Sequence, residues 1–105
     1  MSAKLSTHVL NLANGCPAAG VTIELRRAGA TVKTTHTDGD GRALLLAADE
    51  MATGEHEIVF HVGAYFGDRT FLDEVPIRFR IADASASYHV PLLCTPWAYS
   101  TYRGS

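Results

Sequence analysis

Two histidines, one arginine and a closing tetrapeptide are the groups in this chain best suited to acid–base work. His8 lies in Leu5-Ser6-Thr7-His8-Val9 and His89 in Tyr88-His89-Val90-Pro91-Leu92, while Arg42 directly follows the turn Asp38-Gly39-Asp40-Gly41. An imidazole changes charge near pH 6.5, so it can take a proton from water at neutral pH. A guanidinium is always charged and presents a planar fork of donors to oxygen atoms. The sequence closes on Trp97-Ala98-Tyr99-Ser100-Thr101-Tyr102-Arg103-Gly104-Ser105. An aromatic, strand-like run leading into a cation, a glycine and a serine is expected to do chemistry or make an interface. The simpler expectation is a last strand with a short frayed tail.

Other chemistries find less support. Ser100 or Ser105 with a histidine would make a nucleophile, but nothing marks a third triad member. The turn at Asp38 lacks the spacing and closing glutamate of an EF-hand loop. The five histidines form no His-x-x-x-His pair and no Cys-x-x-Cys accompanies them, so no metal site is expected. Dinucleotide, phosphate-loop and nucleophile-elbow motifs are missing.

The elements that must position these groups are strands. Val21, Ile23 and Leu25 alternate with Thr22, Glu24 and Arg26; the same period of two runs through Glu57–Val62, Val75–Ile81 and Tyr88–Leu93. Leu5–Leu12, Ala30–Thr37, Arg42–Leu46 and Trp97–Tyr102 are less regular candidates. Turn chemistry separates them at Asn14-Gly15, at Arg27–Ala30 and at Asp38–Gly41. Ala47–Thr53, closed by Gly54, predicts one short helix, and Pro76 and Pro91 predict strand edges or bulges. About eight short strands with one helix read as an all-β, antiparallel β-sandwich. The alternation sends Val90, Leu92, Phe60 and Val62 inward, so His89 and His61 face outward. With Leu5 and Val9 inward, His8 faces outward too. The outer face of a sheet is nearly flat, whereas ligand sites are concave. A second copy of the same face, related by a two-fold axis, would turn it into a cleft.

With 105 residues, positions 1–105 form a single domain. A hydrophobic share of 47% against 19% charged residues argues for a packed core. The net charge of −2 offers nothing to nucleic acid or to an anionic membrane surface. No run is apolar enough to span a bilayer, and Met1–Leu5 has no secretory apolar region, so a cytoplasmic location is expected. Cys16 and Cys94 are then expected as free thiols.

Separated blocks of the chain resemble the 5-hydroxyisourate hydrolases, the transthyretin-related enzymes of urate breakdown. They are Leu5–Asn11, Gly15–Ala18, Thr37–Arg42, Pro76–Phe79 and Tyr88–Leu93, with the closing Tyr102-Arg103-Gly104-Ser105. The resemblance implies a transthyretin-like sandwich assembled as a homotetramer, a dimer of dimers with active sites in clefts between subunits. It implies hydrolysis of the ring amide of 5-hydroxyisourate to 2-oxo-4-hydroxy-4-carboxy-5-ureidoimidazoline, without metal or organic cofactor. His8, Arg42, His89 and Ser105 fall on catalytic positions, and His8, Arg42, Tyr102 and Arg103 on substrate-binding ones. Water would attack, the His8/His89 pair would supply the base, and Arg42 would clamp the substrate. Arg103 could instead anchor the tail by an ion pair. Two positions depart from the family pattern: Ser87 stands where a histidine is usual, and Cys94-Thr95 replaces a Leu-Ser pair. A transthyretin-like carrier of small aromatic ligands is the alternative, because one fold hosts several functions.

Overall fold

The computed structural model describes residues 3–104. The apolar/polar alternation becomes ten strand segments: β1 (Leu5–Asn11), β2 (Cys16–Pro17), β3 (Thr22–Arg27), β4 (Ala30–His36), β5 (Arg42–Leu46), β6 (Gly54–His61), β7 (Glu74–Ile81), β8 (Tyr88–His89), β9 (Leu92–Cys94) and β10 (Tyr99–Thr101). The two segments beyond the expected eight have plain causes. Pro91 has no N–H for the ladder, so it divides the Tyr88–Leu93 run into β8 and β9. A two-residue strand, β2, pairs back onto the end of β1 after the Asn14-Gly15 turn.

The strands form two sheets. One runs β4-β3-β6-β7; the other follows β10-β9-β1-β2, with β5 and β8 also paired to β1. The core fills the space between them, with Leu5, Val9 and Leu92 from one sheet meeting Ile23, Ile58 and Phe60 from the other, all at 0% exposure. Each such side chain contributes about 1.5–3 kcal/mol relative to an exposed one. Pro76 sits on β7, an edge strand, as expected. Within the sandwich β1 runs parallel to β8 and β9, while its other pairings are antiparallel. Parallel neighbours need a crossover, and here the chain lays down β3 and β4, pairs β5 with β1, and completes the four-stranded sheet with β6 and β7 before β8 lies parallel to β1.

The helix is not where the periodicity placed it. The stretch expected at Ala47–Thr53 contains only a 3₁₀ turn, Ala48–Glu50, in which the Glu50 carboxylate accepts the Ala47 N–H at 2.8 Å. The α-helix, α1, spans Val62–Phe66, directly after β6. There the Gly63 N–H donates to the Asp73 carbonyl at 2.9 Å, which ties this turn of helix to the approach to β7. Such a contact over ten positions is invisible to a local pattern.

Both thiols are free, Cys16 exposed and Cys94 buried. They pair with Asn11 from opposite edges of β1. Two strand spacings, about 10 Å, separate them, too far for a disulfide. Burial pushes the Cys94 thiol up to about 11, so it stays protonated and inert.

A histidine also lies inside the sandwich. His56, 1% exposed, stacks on Phe79 with ring centroids 5.8 Å apart. Its Nδ1–H donates to the Gly54 carbonyl at 3.0 Å, leaving Nε2 without a partner among the described residues. Burial holds its pKa below the ordinary 6.5. Below that ordinary value the unfolded chain binds a proton that the folded chain refuses, so stability falls as pH drops from about 6.5 toward the folded pKa. His56→Phe keeps the stack and removes the proton. Urea unfolding between pH 7.5 and 5 should show a smaller acid loss in His56→Phe than in the unmodified protein.

Candidate active site

The site is assembled around β1. Leu5, Thr7 and Val9 are buried, so Ser6 and His8 share the outward face. β5 pairs one edge of β1, with Leu44 opposite Ser6 and Arg42 opposite His8; a bulge between Leu5 and Ser6 sets that register. β8 pairs the other edge, with His89 opposite Ser6. Side chains opposite one another on adjacent strands lie within contact reach. One patch of the sheet therefore carries Arg42, His8, Ser6 and His89, with the apolar Leu44 beside them.

The turn before β5 orients two of these groups. The Asp38 carboxylate accepts the N–H of Asp40 at 2.9 Å and of Arg42 at 3.0 Å. Those bonds, the one from Arg42 first, hold its carboxyl below the usual range. The chain passes β1 so closely that a Cβ on Gly41 would lie 2.5 Å from the Val9 carbonyl oxygen, and Gly41 has φ +76°. Only glycine serves there. The same turn presents the Asp40 carbonyl to His8 Nε2 at 2.9 Å. A carbonyl only accepts, so Nε2 carries the hydrogen and a neutral His8 keeps its lone pair on Nδ1.

His89 is held on three sides. Its Nδ1 lies 2.9 Å from Ser6 Oγ. Its carbonyl accepts the Gly104 N–H at 2.7 Å in an isolated antiparallel bridge. A Cβ on Gly104 would lie 2.6 Å from His89 Cδ2, so the tail lies against the ring edge. Burial lowers the pKa of His89, and the charges of Arg42, His8 and Lys4 lower it further. The imidazole is thus neutral and able to accept a proton at physiological pH.

The closing segment is pinned rather than frayed. β10 pairs β9, and the Thr101 hydroxyl donates to the Pro91 carbonyl at 2.7 Å. The Arg103 guanidinium lies 4.1 Å from the Tyr88 ring centroid and donates to the Ser87 carbonyl at 3.3 Å. Those contacts hold the tail on β8. Tyr102 is exposed and borders a separate cavity of about 240 Å³ with Ile77, Phe79 and Val90. Ser105 lies outside the described residues.

Ser6, Lys4 and Leu44 were not singled out from the sequence. Ser6 shares parity with His8, which was a legible signal; its pairing with His89 was not, because 83 positions separate them. Ser87, at the position of the family's usual histidine, accepts the Lys4 N–H at 3.2 Å and ties the start of the chain to β8. Lys4, Ser6, Asp38, Arg42 and Leu44 line a hollow of about 260 Å³. Ligand sites usually enclose about 300–1,000 Å³, so this hollow falls a little below that range.

Among the described residues, one set of metal-donor side chains converges: Glu24, His61 and Glu74, with donor atoms within 4.8 Å of one another. It lies on the four-stranded sheet, away from the patch. Glu24 is already engaged by His61 Nε2 at 2.6 Å and by Arg26 at 3.3 Å.

Known proteins resemble this chain in sequence and in fold. The family model described as HIUase/Transthyretin matches residues 5–104. A curated relative, 5-hydroxyisourate hydrolase 2 of Rhizobium meliloti (strain 1021), is 49% identical over 99% of this chain and 98% of its own. The solved 5-hydroxyisourate hydrolase of Klebsiella pneumoniae superposes with a TM-score of 0.88 at 36% identity, covering 100% of both chains. Sea bream transthyretin, solved in complex with thyroxine, matches with a TM-score of 0.84 at 22% identity over 96% of this chain and 94% of its own, a likeness of fold.

The close seat of Gly104 is testable. Gly104→Ala should push the tail off β8 and move the His89 ring resonances, with a loss of about 1–3 kcal/mol if the tail stays docked and strained. Two-dimensional NMR of the imidazole groups and urea unfolding check both effects.

Proposed function

The chain belongs to the HIUase/Transthyretin family, and we propose that it hydrolyses 5-hydroxyisourate to 2-oxo-4-hydroxy-4-carboxy-5-ureidoimidazoline. The observation that carries this reading is the patch itself: a neutral imidazole, His89, on the same small area of sheet as a second imidazole, His8, and the fixed cation Arg42. The relatives named 5-hydroxyisourate hydrolase supply the substrate.

In this reading water is the nucleophile. His89 takes its proton as the oxygen adds to the ring carbonyl. Arg42, exposed and charged, holds the polar edge of the substrate and the negative charge that grows on the carbonyl oxygen. The C–N bond of the ring amide then breaks. The departing nitrogen receives the proton that His89 took, leaving a carboxyl group on one side and a ureido N–H on the other. His8, with its hydrogen on Nε2 fixed by Asp40, offers Nδ1 as an acceptor to orient the water or a donor group of the substrate. A positioned base contributes about 10²–10⁴ in rate. Arg103 serves as the anchor of the tail.

The missing wall is a second copy of the same face. A homotetramer built as a dimer of dimers would close the open hollow and shield exposed Leu44. A carrier of aromatic ligands would need an apolar lining, and this patch is cationic and rich in imidazole.

5-Hydroxyisourate made from urate with uricase decays spontaneously, and its ultraviolet absorbance should fall faster when the protein is added. His89→Ala and His8→Ala should each lower kcat/KM by about 10²–10⁴-fold. Near-normal turnover in both would remove the proposed base. Arg42→Lys should also be impaired, because one ammonium does not reproduce the fork. In analytical ultracentrifugation the protein should sediment as four chains, and a charge at Leu44 (Leu44→Glu) should split the tetramer.

A further inference from the structure

We propose that Ser6 is a positioning residue whose hydroxyl oxygen accepts a hydrogen bond from Nδ1–H of His89, so that Nε2 is the nitrogen that exchanges protons with the substrate and water. The proposal rests on the reading of His89 as the base and names the atom that acts.

The ring has little freedom. The backbone on either side of His89 is locked to β1 by Tyr88 N–H to the Lys4 carbonyl at 2.8 Å and Val90 N–H to the Ser6 carbonyl at 2.9 Å. Ser6 Oγ meets Nδ1 at 2.9 Å, while Gly104 crowds Cδ2 on the other edge. Turning the ring over would place a carbon against the hydroxyl and a nitrogen against Gly104. Orientation is therefore set from both edges.

The direction of the hydrogen bond follows from the chemistry asked of the ring. A serine hydroxyl can donate or accept. If Ser6 donated, Nδ1 would be the bare nitrogen and Nε2 would already carry its hydrogen, leaving no base on the open side. If Ser6 accepts, Nε2 is bare before the reaction. Once Nε2 is protonated, both ring nitrogens donate, and Ser6 must still accept. The accepting arrangement serves both states with no rotation of the hydroxyl.

Serine has a second consequence in contrast to a carboxylate. An aspartate in this place would favour the charged imidazolium and hold the proton after it was taken. Among the described residues, the charged and titratable groups set against His89 are Arg42 from β5 and His8 and Lys4 from β1 and the segment before it; Arg103 of the tail is turned onto Tyr88. All favour the neutral ring; the hydrogen bond to Ser6 works the other way but is the smallest of these influences, and a hydroxyl adds no negative charge to it.

Imidazole ¹⁵N shifts of histidine-labelled protein, assigned with His89→Ala, read the tautomer without any substrate. Above the acid limb of the pH–rate profile, His89 should show a protonated Nδ1 and a bare Nε2. Ser6→Ala should mix the tautomers and lower kcat about 10–100-fold with little change in KM, and Ser6→Thr, which keeps the hydroxyl, should restore most of it. Ser6→Asp should move the acid limb of kcat upward by about one pH unit or more. A hydrogen on Nε2 in the unmodified protein, or an acid limb in Ser6→Asp at the unmodified position, would overturn the assignment. A protein with the expected tautomer but no hydrolysis of 5-hydroxyisourate would sink the functional reading and leave the positioning by Ser6 intact.

Discussion

The site depends on β1 being paired along both edges at once. At Leu5 and Ser6 the strand meets β5 on one side and β8 on the other; at Leu10 and Asn11 it meets β2 and β9. This pairing brings a histidine near the start of the chain, an arginine after the first long turn and a histidine near the end onto neighbouring positions. The ladder carries a weak point where Pro91 interrupts β8 and β9. There the buried Thr7 hydroxyl donates to the Val90 carbonyl at 2.6 Å and satisfies the group that the broken ladder would leave exposed. The side chain under the patch thus holds together the two strands that the patch needs.

Electrostatics follow from that pairing. Arg42 is exposed and keeps its charge, whereas His89 is half-buried and surrounded by cationic neighbours, so the ring is driven to the neutral form. The nearby Asp38 carboxylate is spent on backbone N–H groups of its own turn, where it shapes the loop. A negative side chain free to approach His89 would work against its neutrality. Labour is thus divided between a carboxylate that builds the turn and a hydroxyl that meets the imidazole.

Legibility differed between levels. The strands were largely visible, because period-two alternation is a local property: Arg42–Leu46 was bounded as found, and Leu5–Leu12 and Ala30–Thr37 differ by one residue at an end. The outward facing of His8 and His89 was visible for the same reason. The helix was misplaced because its cause, the bond from Gly63 to Asp73, spans ten positions. The resemblance singled out His8, Arg42 and His89, which share one patch, but it did not disclose the groups they meet there. Ser6, the Asp40 carbonyl and Gly104 act through backbone register and close approach, which no motif of a few residues encodes.

What the sequence determined by itself is the inventory: which residues alternate, where turns must fall, that Arg42 stands beside a turn of aspartates and glycines, and that two imidazoles point away from the core. Such features depend on neighbours within a few positions, so they survive without the fold. What the tertiary structure decided is adjacency. Ser6 and His89, 83 positions apart, meet because two strands run parallel on one sheet, and the tail reaches His89 because a single glycine lets the backbone lie against the ring. Adjacency of that kind follows from core packing and strand order together, and no stretch of the chain contains it alone.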